Sequence, residues 1–159
     1  MAPLHPDVEP LAFLLGTWRG EGTGQYPTVD PFTYTEELVI EHVGDAFLLY
    51  RNASWSPDGD PLHFERGFLR PGAAAGEVDL CLAHPLGLVE VSQGRVAGGT
   101  LRSRTIDGGA IVRTRTGSAV TALERRYIVD GGTLAYEVAM EMEGIPLAPH
   151  TSSRLRRQG

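Results

Sequence analysis

The chain has one cysteine, Cys81, in 159 residues. No disulfide can form within it, which suits a reducing compartment such as the cytoplasm. Long apolar runs are also missing. The longest, Leu11 to Leu15 and Ala46 to Tyr50, are far too short to cross a bilayer as helices, so no membrane partner is expected. No basic-then-apolar segment opens the chain as a secretory signal would. There is no paired-cysteine metal motif, no phosphate-binding glycine loop and no Gly-x-Ser-x-Gly elbow. An excess of positive charge is absent too. The formal net charge of -6 argues against nucleic acid as a general partner and says nothing about small ligands. Nor is there a long helical period of the kind that would support a parallel sheet.

What is present reads as one globular domain over residues 1–159, with 42% hydrophobic and 21% charged residues. Asp7 to Leu15 is the one helical candidate, with Pro10 in its first turn, Gly16 as its stop, and Leu11, Phe13, Leu14 and Leu15 available to cap a barrel end. Strands follow: Gly16–Gly24, Thr33–Val43, Ala46–Ser54, Leu62–Arg70, Glu77–Ala83, Gly87–Gln93, Thr100–Ile106, Ala110–Thr116, Thr121–Val129, Thr133–Glu143 and His150–Arg157. Turn residues separate them, among them Pro57-Asp58-Gly59-Asp60, Asp107-Gly108-Gly109 and Asp130-Gly131-Gly132. Connections this short favour hairpins, so the expected fold is all-β: an antiparallel up-and-down barrel of about ten strands with a short N-terminal helix. Ten strands enclose more room than side chains fill, which predicts a ligand cavity.

The first strand organises the rest. With a period of two, Trp18, Gly20, Gly22 and Gly24 share one face, and Thr17, Arg19, Glu21 and Thr23 the other. Glycine weakens a strand interior, so this face implies tight curvature, or a backbone or flat ligand lying against it.

Few residues carry obvious chemistry. Cys81 lies between Leu80 and Leu82 and reads as a small strand residue. His5 reads as a solvated tail residue and His42 as a surface residue. His63 begins the strand Leu62–Arg70 and His84 precedes Pro85 in a connection, and each could face a cavity mouth, although spacing alone favours an ordinary histidine. His150 follows Pro149 at the start of the last strand, and on spacing alone an ordinary hydrogen-bonded or exposed histidine is the better reading.

Several strings carry a resemblance. A glycine, a tryptophan two residues on and an apolar N-terminal segment look like the calycins, the lipocalins and fatty-acid-binding proteins. The longer string Gly-Thr-Trp-Arg-Gly-Glu-Gly followed by Tyr-Pro-Thr, residues 16–22 and 26–28, resembles the nitrobindin family. So do Pro31-Phe32-Thr33-Tyr34-Thr35-Glu36-Glu37, Leu62-His63-Phe64-Glu65-Arg66-Gly67-Phe68, and Gly87-Leu88-Val89-Glu90-Val91 followed by Gly94. The resemblance covers about residues 7 to 157.

It implies a calycin-like barrel holding ferric haem b. His150 matches the family's proximal iron ligand, carried on the final strand. Thr28, Leu62 and His63 match pocket positions, with Leu62 where relatives often carry methionine, and the implied distal wall is apolar and poor in proton donors. Haem propionates suit an arginine at the mouth. Of Arg125, Arg126, Arg154, Arg156 and Arg157, we assign Arg126 to that place, although alternation puts Arg154 and Arg156 on the face of His150. The implied activity is binding of nitric oxide and isomerisation of peroxynitrite to nitrate, with haem, nitric oxide and peroxynitrite as the partners. Two other readings stay open: a non-catalytic carrier or sensor of nitric oxide or haem, and a haem-free calycin for an apolar ligand such as a fatty acid. No partner-binding surface stands out, and an oligomer is allowed.

Overall fold

The computed structural model describes residues 2–106 and 110–159, and the expected turn Asp107-Gly108-Gly109 lies outside them. A helix, Pro6–Leu14, leads into eleven strands: β1 (Gly16–Tyr26), β2 (Val29–His42), β3 (Leu48–Trp55), β4 (Pro61–Pro71), β5 (Glu77–His84), β6 (Leu88–Ala97), β7 (Thr100–Thr105), β8 (Ile111–Arg113), β9 (Val120–Asp130), β10 (Thr133–Met142) and β11 (Ile145–Arg157). Ten of them form a ring in the order β5-β4-β3-β2-β1-β11-β10-β9-β7-β6, and β6 pairs back onto β5 to close it. All pairings are antiparallel. The expected strand Ala110–Thr116 contracts to the three residues of β8, which pair beside β7 on the same strand, β6. Closure leaves the ten main strands without a free edge, as the sequence rhythm implied.

The N-terminal helix is 3₁₀ rather than α. Pro10 is its fifth residue, past the first turn, and has no N–H for an i→i−4 bond. A three-residue turn also suits the sequence, since the buried Val8, Leu11 and Leu14 recur every third position and line one face. His5 is not a solvated tail residue. Its Nδ1 accepts the Asp7 N–H at 3.2 Å and caps the helix.

That helix stoppers one end of the barrel. Its three buried residues join Trp18, Leu38, Leu48, Leu69, Leu80, Leu101, Leu134 and Leu155 in the main apolar cluster. The Trp18 indole donates to the Leu14 carbonyl at 2.9 Å, fixing helix to strand. Moving along the barrel, the inward positions turn polar: Glu36 on β2, Glu65 on β4, His84 on β5, Glu90 on β6, Arg125 on β9 and Tyr136 on β10. Beyond them the far end is lined by Phe32, Met140 and His150. Stopper, polar belt and open end thus follow one another along the axis.

The glycine face of β1 points inward as expected, for two reasons rather than one. A Cβ on Gly20 would strike the Arg154 carbonyl of β11, so this residue permits the strands to approach closely. Gly22 and Gly24 instead lie beneath the rings of Tyr34 and Phe32 from β2. The flat groups against this face are the protein's own aromatic side chains.

Candidate functional site

A cavity of about 600 Å³ occupies the open half of the barrel. Its walls near the mouth are apolar, from Val29, Phe32, Leu62, Leu86, Val138 and Met140, and its floor is polar. Such a size and mixture suits a cofactor-sized organic ligand.

His150 sits in this wall because of an irregularity in β11. On the β10 ladder Val138 pairs with Thr151 and Ala139 with Pro149, which makes His150 the extra residue of a β-bulge. Pro149 offers no N–H at this point, so the break in pairing is built into the sequence. The imidazole Nδ1 lies 3.0 Å from the Gln25 carbonyl oxygen, an atom that only accepts. Nδ1 therefore carries the proton and donates, and Nε2 keeps its lone pair. The ring is further held edge-on by Tyr26, with centroids 5.4 Å apart, and by Phe32 at 6.4 Å. Tyr26 is itself fixed through its hydroxyl, which donates to the Met140 carbonyl at 3.1 Å. An imidazole that donates one nitrogen to a backbone carbonyl and whose other nitrogen has no hydrogen-bond partner among the described residues is oriented as a metal-ligating histidine is.

The floor is an ionic network. Arg125, 1% exposed at its side chain, donates to Glu65 at 2.8 and 2.9 Å and to Glu90 at 2.7 and 2.9 Å, and also bonds the Tyr136 hydroxyl. Burial pushes the Glu65 carboxyl up, but the Arg125 guanidinium, with help from His63 and His84, outweighs it and holds this group well below the usual range. The same balance holds Glu90 down. For Arg125, burial works against the charge and the two carboxylates override it, keeping the guanidinium ionised. His84 bridges the carboxylates, with Nε2 2.8 Å from Glu90 and Nδ1 3.4 Å from Glu65. His63 Nε2 lies 3.1 Å from Glu65. Glu36 behaves oppositely, its burial raising the carboxyl, and Oε2 has no partner among the described residues.

Of the residues the sequence nominated, the fold brings together His150, His63 and Leu62, all on the cavity lining. Two nominated residues do not lie on this lining. Thr28 is exposed in the turn between β1 and β2, and its neighbour Val29 is the residue that reaches the lining. Arg126 follows inward-facing Arg125, so alternation sends it outside, where it pairs with Glu137 at 3.5 Å. Arg154 and Arg156 are outside as well, because the bulge at His150 resets the alternation. The apolar wall expected around Leu62 is confined to the mouth, and deeper in the cavity proton donors are present. Leu62 lies at the exposed rim, while Asn52, His63, His84, Arg125 and Tyr136 line the interior. Two assignments missed the belt. Arg125 is one of five arginines weighed for the mouth but lies in the floor, and His84, 3% exposed at its side chain, is a buried member of the network rather than a mouth residue. The inward parity of Glu65, Glu90 and Arg125 on their strands was the available signal. Charged residues at core positions mark a buried network.

Comparisons with known proteins agree with this geometry. Residues 7–157 match the family described as THAP4-like, heme-binding beta-barrel domain. The chain is 45% identical over 160 residues to peroxynitrite isomerase 2 of Mycobacterium ulcerans, covering 99% of this chain and 98% of that protein. It is also 45% identical over 157 residues to peroxynitrite isomerase of Nocardia farcinica, covering 97% and 92% respectively. Its fold superposes on the crystal structure of Rv2717c from M. tuberculosis with a TM-score of 0.90 at 42% identity, covering 99% of this chain and all of that one.

Proposed function

The chain belongs to the nitrobindin family of haem-binding β-barrels, and from that premise we propose that it is a haem-dependent peroxynitrite isomerase whose iron ligand is His150. The observation that carries this reading is the His150 imidazole at the cavity wall, with Nδ1 committed to Gln25 and Nε2 left free. A lipid carrier has no need of such an arrangement.

The apolar walls match the faces of a porphyrin, and the floor decides its orientation. Glu65 and Glu90 carry two negative charges against the single positive charge of Arg125. That surplus of negative charge would repel the carboxylates of a bound haem from the floor. When bound, haem b in its ferric state supplies a Lewis-acidic iron on which peroxynitrite rearranges to nitrate. The protein's contribution is positional. His150 would hold the iron, the Gln25 carbonyl fixes which ring nitrogen donates, and Phe32 and Tyr26 keep the ring from turning. With haem seated in the cavity, the remaining space would admit only small molecules such as peroxynitrite or nitric oxide. A single cysteine, which leaves the chain no internal disulfide, is compatible with a reducing compartment such as the cytoplasm.

The test is stopped-flow mixing of haem-loaded protein with peroxynitrite, with nitrate yield measured separately. Faster decay with a raised nitrate yield is the expected result. Normal haem binding with unchanged decay and yield rejects the enzyme and leaves a carrier.

A further inference from the structure

The floor of the cavity holds a second set of ligand atoms, independent of His150. His63, Glu65 and His84 each offer one ligand atom, and these atoms lie within 4.8 Å of one another. The two distances to the carboxylate oxygen are 3.1 Å from His63 and 3.4 Å from His84. Ligand atoms about 3.3 Å apart are what a tetrahedral ion with metal–ligand bonds of about 2.0–2.1 Å requires. We propose that His63, Glu65 and His84 form a binding site for a divalent first-row transition-metal ion, separate from the haem iron.

Three features support a built site. The first is the tautomer of His84. Its Nε2 lies 2.8 Å from a Glu90 oxygen, so that nitrogen carries the proton and donates. In the neutral ring Nδ1 then points a lone pair at the lone pairs of Glu65 Oε1, a contact that a cation between them turns from repulsive to attractive. The second is the shell behind it. A carboxylate holding the far nitrogen of a ligating histidine is the arrangement that orients and strengthens such a ligand, and Glu90 is fixed in turn by Arg125 and by the Ser92 hydroxyl at 3.0 Å. The third is charge and access. Two carboxylates facing one guanidinium leave a surplus negative charge, and the half-exposed His63 opens onto the cavity. Two histidines and one carboxylate leave at least one coordination position toward that cavity, as in sites that bind exchangeable ligands.

The site is tested on the full chain, treated with a chelator and then freed of it, by calorimetric titration with Zn²⁺. Wild type is expected to bind one equivalent. His63→Leu, a change at a partly exposed position, should weaken binding by more than the about 10–100-fold typical of losing a supporting group, while Glu90→Gln should fall within that range. His150→Ala should bind Zn²⁺ like wild type. Circular dichroism on each variant separates lost binding from lost fold. The proposal is overturned if wild type takes up no stoichiometric Zn²⁺, if His63→Leu binds as tightly as wild type, or if His150→Ala loses the ion equally. The first of these results would assign the cation between His84 and Glu65 to a proton.

Discussion

At the scale of single residues, position relative to the pleat decides which polar groups matter. Arg125 and Arg126 are adjacent and chemically identical, yet one is sealed inside the barrel and the other pairs with Glu137 on its surface. An exposed pair of this kind contributes little and holds nothing in the cavity. Arg126→Gln should therefore leave haem affinity within about twofold of wild type, since RT ln 2 is only about 0.4 kcal/mol. A spectroscopic haem titration checks this, and a tenfold loss would return Arg126 to the site. His84→Ala is a different case. It removes a buried group bridging two carboxylates, so loss of stability is expected. Residue identity alone left these roles undecided. The family resemblance nominated His150, and the fold puts it on the cavity lining, but its Gln25 contact could not be read from the sequence because it spans 125 positions.

Among the elements, β1 and β11 do most of the positioning. The glycine alternation of β1 was legible as a face that something must approach. What approaches was hidden, because it depends on the register that sets Gly22 opposite Tyr34 and Gly24 opposite Phe32. Tyr34 lies over Gly22 with its hydroxyl 2.7 Å from Ser153 Oγ, and burial pushes its phenol up to about 12. Gly22→Val forces that ring aside in a packed interior and should destabilise the fold by about 1–3 kcal/mol or more. Urea unfolding gives the value, and an unchanged midpoint would show that the ring moves freely. The bulge in β11 was the least legible feature. Period-two reasoning ran through His150 and put Arg154 and Arg156 on its face, whereas the extra residue shifts the parity there. The N-terminal helix was located correctly, but its type turned on Pro10 sitting beyond the first turn.

For the whole molecule, the strand-and-turn rhythm was enough to specify a closed antiparallel barrel, since hairpins join most neighbours. The polar belt was not foreseen because it is assembled from six strands. It also ties stability to pH. Glu65 and Glu90 have native carboxyls held below their ordinary value of 4.5. The stability they contribute is complete above that value and is lost as pH falls from it toward the depressed native values. Glu36, raised by burial, has the opposite sign, its contribution fading as pH rises through its native value. Arg125→Met leaves two buried carboxylates without their cation and should cost about 3–5 kcal/mol. It should also reverse the acid dependence. Without the guanidinium, burial, the largest influence on both groups, is opposed only by His63 and His84, so acidification from neutral pH should stabilise the variant while wild type loses stability as the pH falls below the ordinary carboxylate value. Urea midpoints across that range measure both. Parallel pH profiles for the two proteins would mean that Arg125 does not control these carboxylates.

The central claim is that one side chain, His150, converts this barrel from a container into a haem protein. The measurement that tests it most directly is a titration of ferric haem into wild type and His150→Ala, followed by Soret absorbance. The account predicts stoichiometric uptake with a histidine-ligated spectrum in wild type, and sharply weaker uptake without that spectrum in a variant whose far-ultraviolet circular dichroism is unchanged. The same affinity and the same spectrum in both proteins would contradict it.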